Sequence, residues 1–147
     1  MIIINVQESP HFGLFEFTKI LNSKKEELTP EGYDTRCVDS TIINRCYYSS
    51  YNYAIEWLKE RYDFVPMKKH EYDDPKKYKS EHKQVQDALA QYNKVDVRNK
   101  LRALFILRKK ADYNPYDRLT QKQIKDSINN MEYIFNRLPK RDLGITD

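Results

Sequence analysis

Between Thr35 and Tyr62 the chain places Ile43, Tyr47, Ser50, Ala54 and Trp57 at spacings of three and four residues. Cys46, Tyr53 and Leu58 flank them. Residues three or four apart share one face of an α-helix, so this stretch predicts a long helix with a wide buried stripe. Such a stripe has to be covered, and the rest of the chain offers covers of the same kind. Ser9-Pro10 reads as an N-cap with Pro at the first helical position, ahead of a short helix over Phe12 to Leu21. Val85, Ala88, Leu89 and Tyr92 mark a helix from about Ser80 to Tyr92. Val97, Leu101, Leu104, Phe105 and Arg108 mark another from about Asp96 to Ala111, ended by Pro115. Thr120 and Gln123 form a capping box, with Leu119 placed to staple onto Ile124. Ile124, Ile128, Met131, Phe135 and Leu138 carry the last stripe to Pro139.

Only 3 glycines occur. Rossmann turns, phosphate-cradling loops and β-sandwiches rely on glycine for positive φ or close backbone approach, so these folds are disfavoured. The expectation is an all-α, up-and-down antiparallel bundle of four long helices plus a short N-terminal helix. Short connections make sequential helices antiparallel neighbours. Residues 1–147 read as one domain, with an apolar arm or short strand over 1–8 and a tail over 139–147. Lys24 to Gly32 is a polar connection, and residues 66–80 are the stretch expected to be most mobile.

Mean hydropathy is −0.88, yet aromatic residues make up 13% of the chain. Disordered chains are poor in aromatics, so a folded domain with a charged exterior is expected. The net charge of +4 permits an anionic partner without requiring one. Cys37 and Cys46 would lie about 13 Å apart on one helix, too far for a disulfide, which fits a reducing cytoplasm. No apolar run is long enough for a membrane span, and the start, Met1-Ile2-Ile3-Ile4-Asn5, lacks the basic leader of a signal peptide. His11, His70 and His82 stand apart from Cys or paired carboxylates, so no metal and no cofactor is expected.

Two segments carry candidate chemistry. Arg45, Tyr48 and Asn52 share one helical face, and an arginine, a phenol and an amide in a row can grip a phosphate or a flipped base. On residue types alone, a buried polar seam with Arg45 paired to a carboxylate is the simpler explanation. From Val97 to Lys125 there are nine Lys or Arg against two Asp. Arg108, Lys109 and Lys110 at a helix C-terminus complement the macrodipole. The alternative to that solvated helix end is that they lie along RNA phosphates, with Tyr113 and Tyr116 available for base stacking. His82 has Lys83 beside it and otherwise reads as a surface histidine.

Together the two segments resemble the HEPN superfamily. Arg45-Cys46-Tyr47-Tyr48-Ser49-Ser50-Tyr51-Asn52 is similar to its Arg-x-Tyr-Tyr-x-x-Phe-His helix. Leu107-Arg108-Lys109-Lys110-Ala111-Asp112-Tyr113-Asn114-Pro115 is similar to the Leu-Arg-x-x-Ala-Asp-Tyr-Asp-Pro segment of one branch. The likeness covers about residues 35–138. It implies a helical bundle that often forms homodimers and acts on RNA in toxin–antitoxin, phage-defence or CRISPR-associated systems. Many members are metal-independent endoribonucleases with an Arg-x4–6-His hallmark. Here Asn52 stands where one branch carries that histidine, and an amide does not serve as an acid or base near neutral pH. On this resemblance Arg45 orients phosphate and Tyr48 and Asn52 shape the pocket, while Asp112 belongs to the same site. His82 supplies proton transfer from another helix, and Arg108, Lys109, Lys110 and Tyr113 attract the RNA backbone. The alternative is a catalytically silent scaffold that binds a cognate antitoxin or another protein.

Overall fold

The computed structural model describes residues 9–139. The arm at 1–8 and the tail beyond Pro139 lie outside the described residues. Six α-helices follow one another: α1 (Pro10–Ser23), α2 (Lys25–Leu28), α3 (Arg36–Tyr62), α4 (Glu81–Gln91), α5 (Val95–Tyr113) and α6 (Gln121–Arg137). Among the described residues there is no β-strand. The all-α bundle expected from the stripes is the fold. Among the described residues no helix is long and apolar enough to cross a membrane.

The caps form where local chemistry places them. Ser9 accepts the His11 amide at 3.3 Å and also donates to Glu56 at 2.5 Å, so the start of α1 is fastened to α3. Thr120 and Gln123 satisfy each other's backbone amides at 3.1 and 2.9 Å. Leu119 and Ile124 are both buried, as the staple requires. α3 stops when Asp63 adopts the left-handed conformation, φ 54°, and its amide returns to the Lys59 carbonyl.

α3 is the central helix and packs against α1, α4, α5 and α6. Ile42, Ile43, Tyr47, Ala54 and Leu58 are sealed from solvent along its length. Burying each large side chain is worth about 1.5–3 kcal/mol, enough to hold a 27-residue helix that has little amphipathic asymmetry of its own. Leu89, Leu101, Leu104, Met131 and Ile134 close the core from α4, α5 and α6. α1 covers α3 and α6 through rings. Phe12 meets Tyr53 and Phe135 edge-on at 5.2 and 5.5 Å, and Tyr53 stacks on Phe135 at 4.4 Å.

Three elements differ from expectation. The Lys24–Gly32 connection contains the single turn α2, because Lys25 has a fixed task. Its ammonium lies 3.3 Å from Asp39 and 2.5 Å from Gln121. Asp39, only 2% exposed in the first turn of α3, also accepts the Thr35 hydroxyl at 2.8 Å. α5 continues past Ala111 to Tyr113, because Arg36 reaches across from the start of α3. Its guanidinium donates to the carbonyls of Ala111, Asn114 and Asp117 at 3.3, 3.1 and 2.9 Å, satisfying acceptors that a helix end leaves open. Residues 66–80 contain two 3-10 turns, Lys69–Glu71 and Pro75–Lys77. Gln84 on α4 fastens this stretch at both ends, bonding the Met67 amide and carbonyl and the Lys79 carbonyl at 2.7–2.9 Å.

Candidate nucleic-acid interface

α3 and α5 lie side by side, which brings the two motif segments into contact although more than fifty residues separate them. The Asn44 amide donates to the Asp112 carboxylate at 3.3 Å, and that carboxylate also faces the Arg108 guanidinium at 3.5 Å. Arg108 is the centre of the cluster. It belongs to the inward stripe of α5 and is 8% exposed. Its guanidinium carbon sits over the rings of Tyr47, Tyr48, Phe105 and Tyr113 at 5.4–5.8 Å. A planar, weakly hydrated guanidinium is the cation best suited to such a box. The box is incomplete in hydrogen bonds. The Arg108 Nε is buried with no partner, as is the Asn44 Oδ1. A buried polar atom without a partner costs about 1–3 kcal/mol, so the fold maintains this arrangement against a local penalty.

His82, at the start of α4, reaches the same cluster. Its Nδ1 pairs with the Tyr47 phenol, and its ring lies 4.6 Å from Tyr51 and 5.1 Å from Phe105. Burial lowers the His82 pKa, and the Arg108 charge lowers it further against the opposing pull of Glu81. The imidazole is therefore neutral at pH 7 and able to accept a proton. Burial pushes the Tyr47 phenol well above its ordinary pKa, so its proton is retained. Beside His82 a groove of about 330 Å³ opens between α4 and α5.

The remaining candidates separate. Arg45 and Asn52 are exposed and make no hydrogen bond or ion pair among the described residues. The buried-seam explanation therefore fails for Arg45, and the buried arginine is Arg108. Tyr48 is half-buried and is the member of that trio that touches the second segment, through Arg108. Arg108, Lys109 and Lys110 do not form one patch. Successive residues step about 100° around a helix, so they face three ways. Arg108 points at α3, while Lys109 stays exposed over the Phe105 ring at 5.5 Å. Lys110 lines the α5–α6 groove with Gln123 and Asp126. Tyr113 is 67% exposed and Tyr116 fully so.

Arg36, Asn44, Tyr47 and Phe105 complete the site and were not singled out from the sequence as functional. Arg36 had a signal: a cation in the first turn of a helix opposes the macrodipole and needs an outside reason to be there. Tyr47 had one in its place in the Arg-x-Tyr-Tyr stretch, while Asn44 carried none, because its partner Asp112 is distant in sequence. Among the described residues no three His, Cys, Asp or Glu side chains gather as a metal site would require. Comparison of the chain with known family models, characterised proteins and solved structures returns no match.

Proposed function

We propose that this protein binds single-stranded RNA along the α3–α5 face in the manner of a HEPN domain. Arg45 and Lys109 draw the phosphates, Tyr113 and Tyr116 offer stacking surfaces, and Arg108 fixes the centre of the site. The observation that carries the reading is the aromatic box. It holds a buried guanidinium with an unsatisfied Nε next to a neutral histidine, and the exposed Lys109 and Tyr113 border it. Cation–π and stacking contacts are the usual means of holding unpaired bases, and lysines and arginines supply the salt-dependent backbone attraction. In the same reading the protein works as a homodimer in a prokaryotic defence, CRISPR-associated or toxin–antitoxin system.

If RNA is cleaved as well as bound, neutral His82 is the residue suited to take the 2′-hydroxyl proton while the 2′-oxygen attacks phosphorus. The 5′-oxygen then leaves with a proton from a donor, and a guanidinium stabilises the added phosphate charge. Asn52 does not fill the donor role. That amide favours a second reading, a scaffold that binds RNA or a cognate protein without cutting.

The test uses the purified protein with labelled single-stranded RNA across a salt series, beside Arg45→Ala and Lys109→Ala. Binding that weakens steeply with salt, and a shallower slope in each variant, supports the reading. Binding that salt leaves unchanged, or no binding at low salt, overturns it. Product analysis separates processing from binding alone, and His82→Asn abolishes any cleavage that depends on the imidazole.

A further inference from the structure

The groove between α4 and α5 is built from Ser80, His82, Lys83 and Gln86 on one side and Arg102 and Phe105 on the other. Its floor holds an unusual side chain. The stem of Gln86 is packed, the residue being 7% exposed, and its amide makes no hydrogen bond to any described residue. The amide atoms keep contact with solvent, so their two donors and one acceptor are open to a ligand that enters the groove. The other walls are chemically mixed. Phe105 presents a half-buried ring, and Arg102 is exposed with no ion pair among the described residues. Lys83 is exposed and shares Asp87 with Lys79 at 3.1 Å. His82 borders the groove while its Nδ1 is held by Tyr47.

A flat ring to lie on, a lining amide with an unpaired donor and acceptor, and an exposed cation beside them match one kind of occupant. We propose that this groove is a base-reading subsite for an unstacked adenine of single-stranded RNA. Gln86 reads the base edge, Phe105 supports the ring and Arg102 takes the adjoining phosphate. Side-chain amides pair bidentately with the N6 donor and N7 acceptor of adenine. Single-strand readers splay such bases out and stack them on aromatic rings. A groove of about 330 Å³ has room for one nucleotide and not for a duplex. The inference rests on the RNA-binding reading above and adds a sequence preference to it.

The experiment measures binding of four nine-nucleotide RNAs, all uridine except for A, G, C or U at the centre. The wild-type protein is compared with Gln86→Leu and Arg102→Ala, and circular dichroism checks each fold. The expected result is about tenfold tighter binding of the adenine-centred RNA by the wild type. Gln86→Leu binds all four alike, at the level the wild type shows for the uridine RNA. Arg102→Ala weakens all four and keeps the adenine preference. If the wild type binds the four equally, or Gln86→Leu keeps the preference, the adenine assignment is wrong and RNA binding stands. If none of the four binds, both fall. Arg102→Ala maps to the solvent edge of the groove, so it stays informative if Gln86→Leu fails to fold.

Discussion

Replacing Arg108 with methionine separates what this residue does for the fold from what it does for a ligand. In favour of the arginine stand four ring contacts at 5.4–5.8 Å, worth about 0.5–1 kcal/mol each. The Asp112 pair at 3.5 Å adds about 0.5–1 kcal/mol, since that carboxylate is partly in water. Against it stand the orphaned Nε, about 1–3 kcal/mol, and a desolvation penalty of several kcal/mol for the ion. Methionine fills most of the stem volume and packs well on aromatic rings. The Asp112 left behind keeps its Asn44 bond and its solvent exposure, so no isolated buried charge results. Arg108→Met should therefore lie within about 1 kcal/mol of the wild type, or about 2–4 °C in Tm. RNA affinity should fall about tenfold through displacement of the Tyr48 and Tyr113 rings, with the salt slope unchanged, because the buried guanidinium meets no phosphate. Arg108→Lys should be less stable than Arg108→Met, because a compact, strongly hydrated ammonium does not stack between rings. Urea unfolding at constant m-value measures the first quantity and fluorescence anisotropy of labelled RNA the second. A stability loss above about 3 kcal/mol in Arg108→Met, or lysine tolerated better than methionine, would refute the reasoning.

Three further outcomes follow from other parts of the molecule. Lys25→Met strips the buried Asp39 of its cation, leaving only the Thr35 hydroxyl and the Gln121 amide, and should lower stability by about 3–5 kcal/mol in urea unfolding. His82 and His11 both have pKa values lowered chiefly by burial, so the unfolded chain takes up their protons first. Stability should hold above about pH 6.5 and fall as pH drops below it, with His82→Asn flattening the fall. Asp96 is held at about 2 by its bond from Tyr133, with Arg137 assisting. Its contribution should be present above about pH 4 and disappear as pH falls towards 2, and a pH titration of Tm in Asp96→Asn should lack that step.

Helix positions were legible because burial imposes a period, and the period survives in the order of residues. The Ile43–Trp57 stripe and the Thr120–Gln123 box are both read from near neighbours. The joining of the two motif segments was expected from resemblance alone, since no spacing rule links residue 44 to residue 112. The direction of Arg45 stays open in the sequence, because the sequence marks helix faces but not which face turns to which partner. Arg45 sits next to the core residues Cys46 and Tyr47 in sequence, yet its direction around α3 leads to solvent. Arg108 was already counted in the inward stripe of α5, and that placement outweighed its charge. Gln86 gave no signal at all: an amide on a helix ordinarily faces water, and only the neighbouring α5 makes its burial visible.

The grip of Arg36 on the carbonyls of Ala111, Asn114 and Asp117 has a consequence for how such a surface changes over generations. The tyrosines at 113 and 116 stand on a stretch whose shape is dictated from the opposite end of another helix. Substituting either tyrosine alters what is touched and leaves the stretch in position. Losing the single guanidinium at 36 would shift both rings together while the interior stays intact. Ligand preference can thus drift through one remote residue without any change in the side chains that meet the ligand.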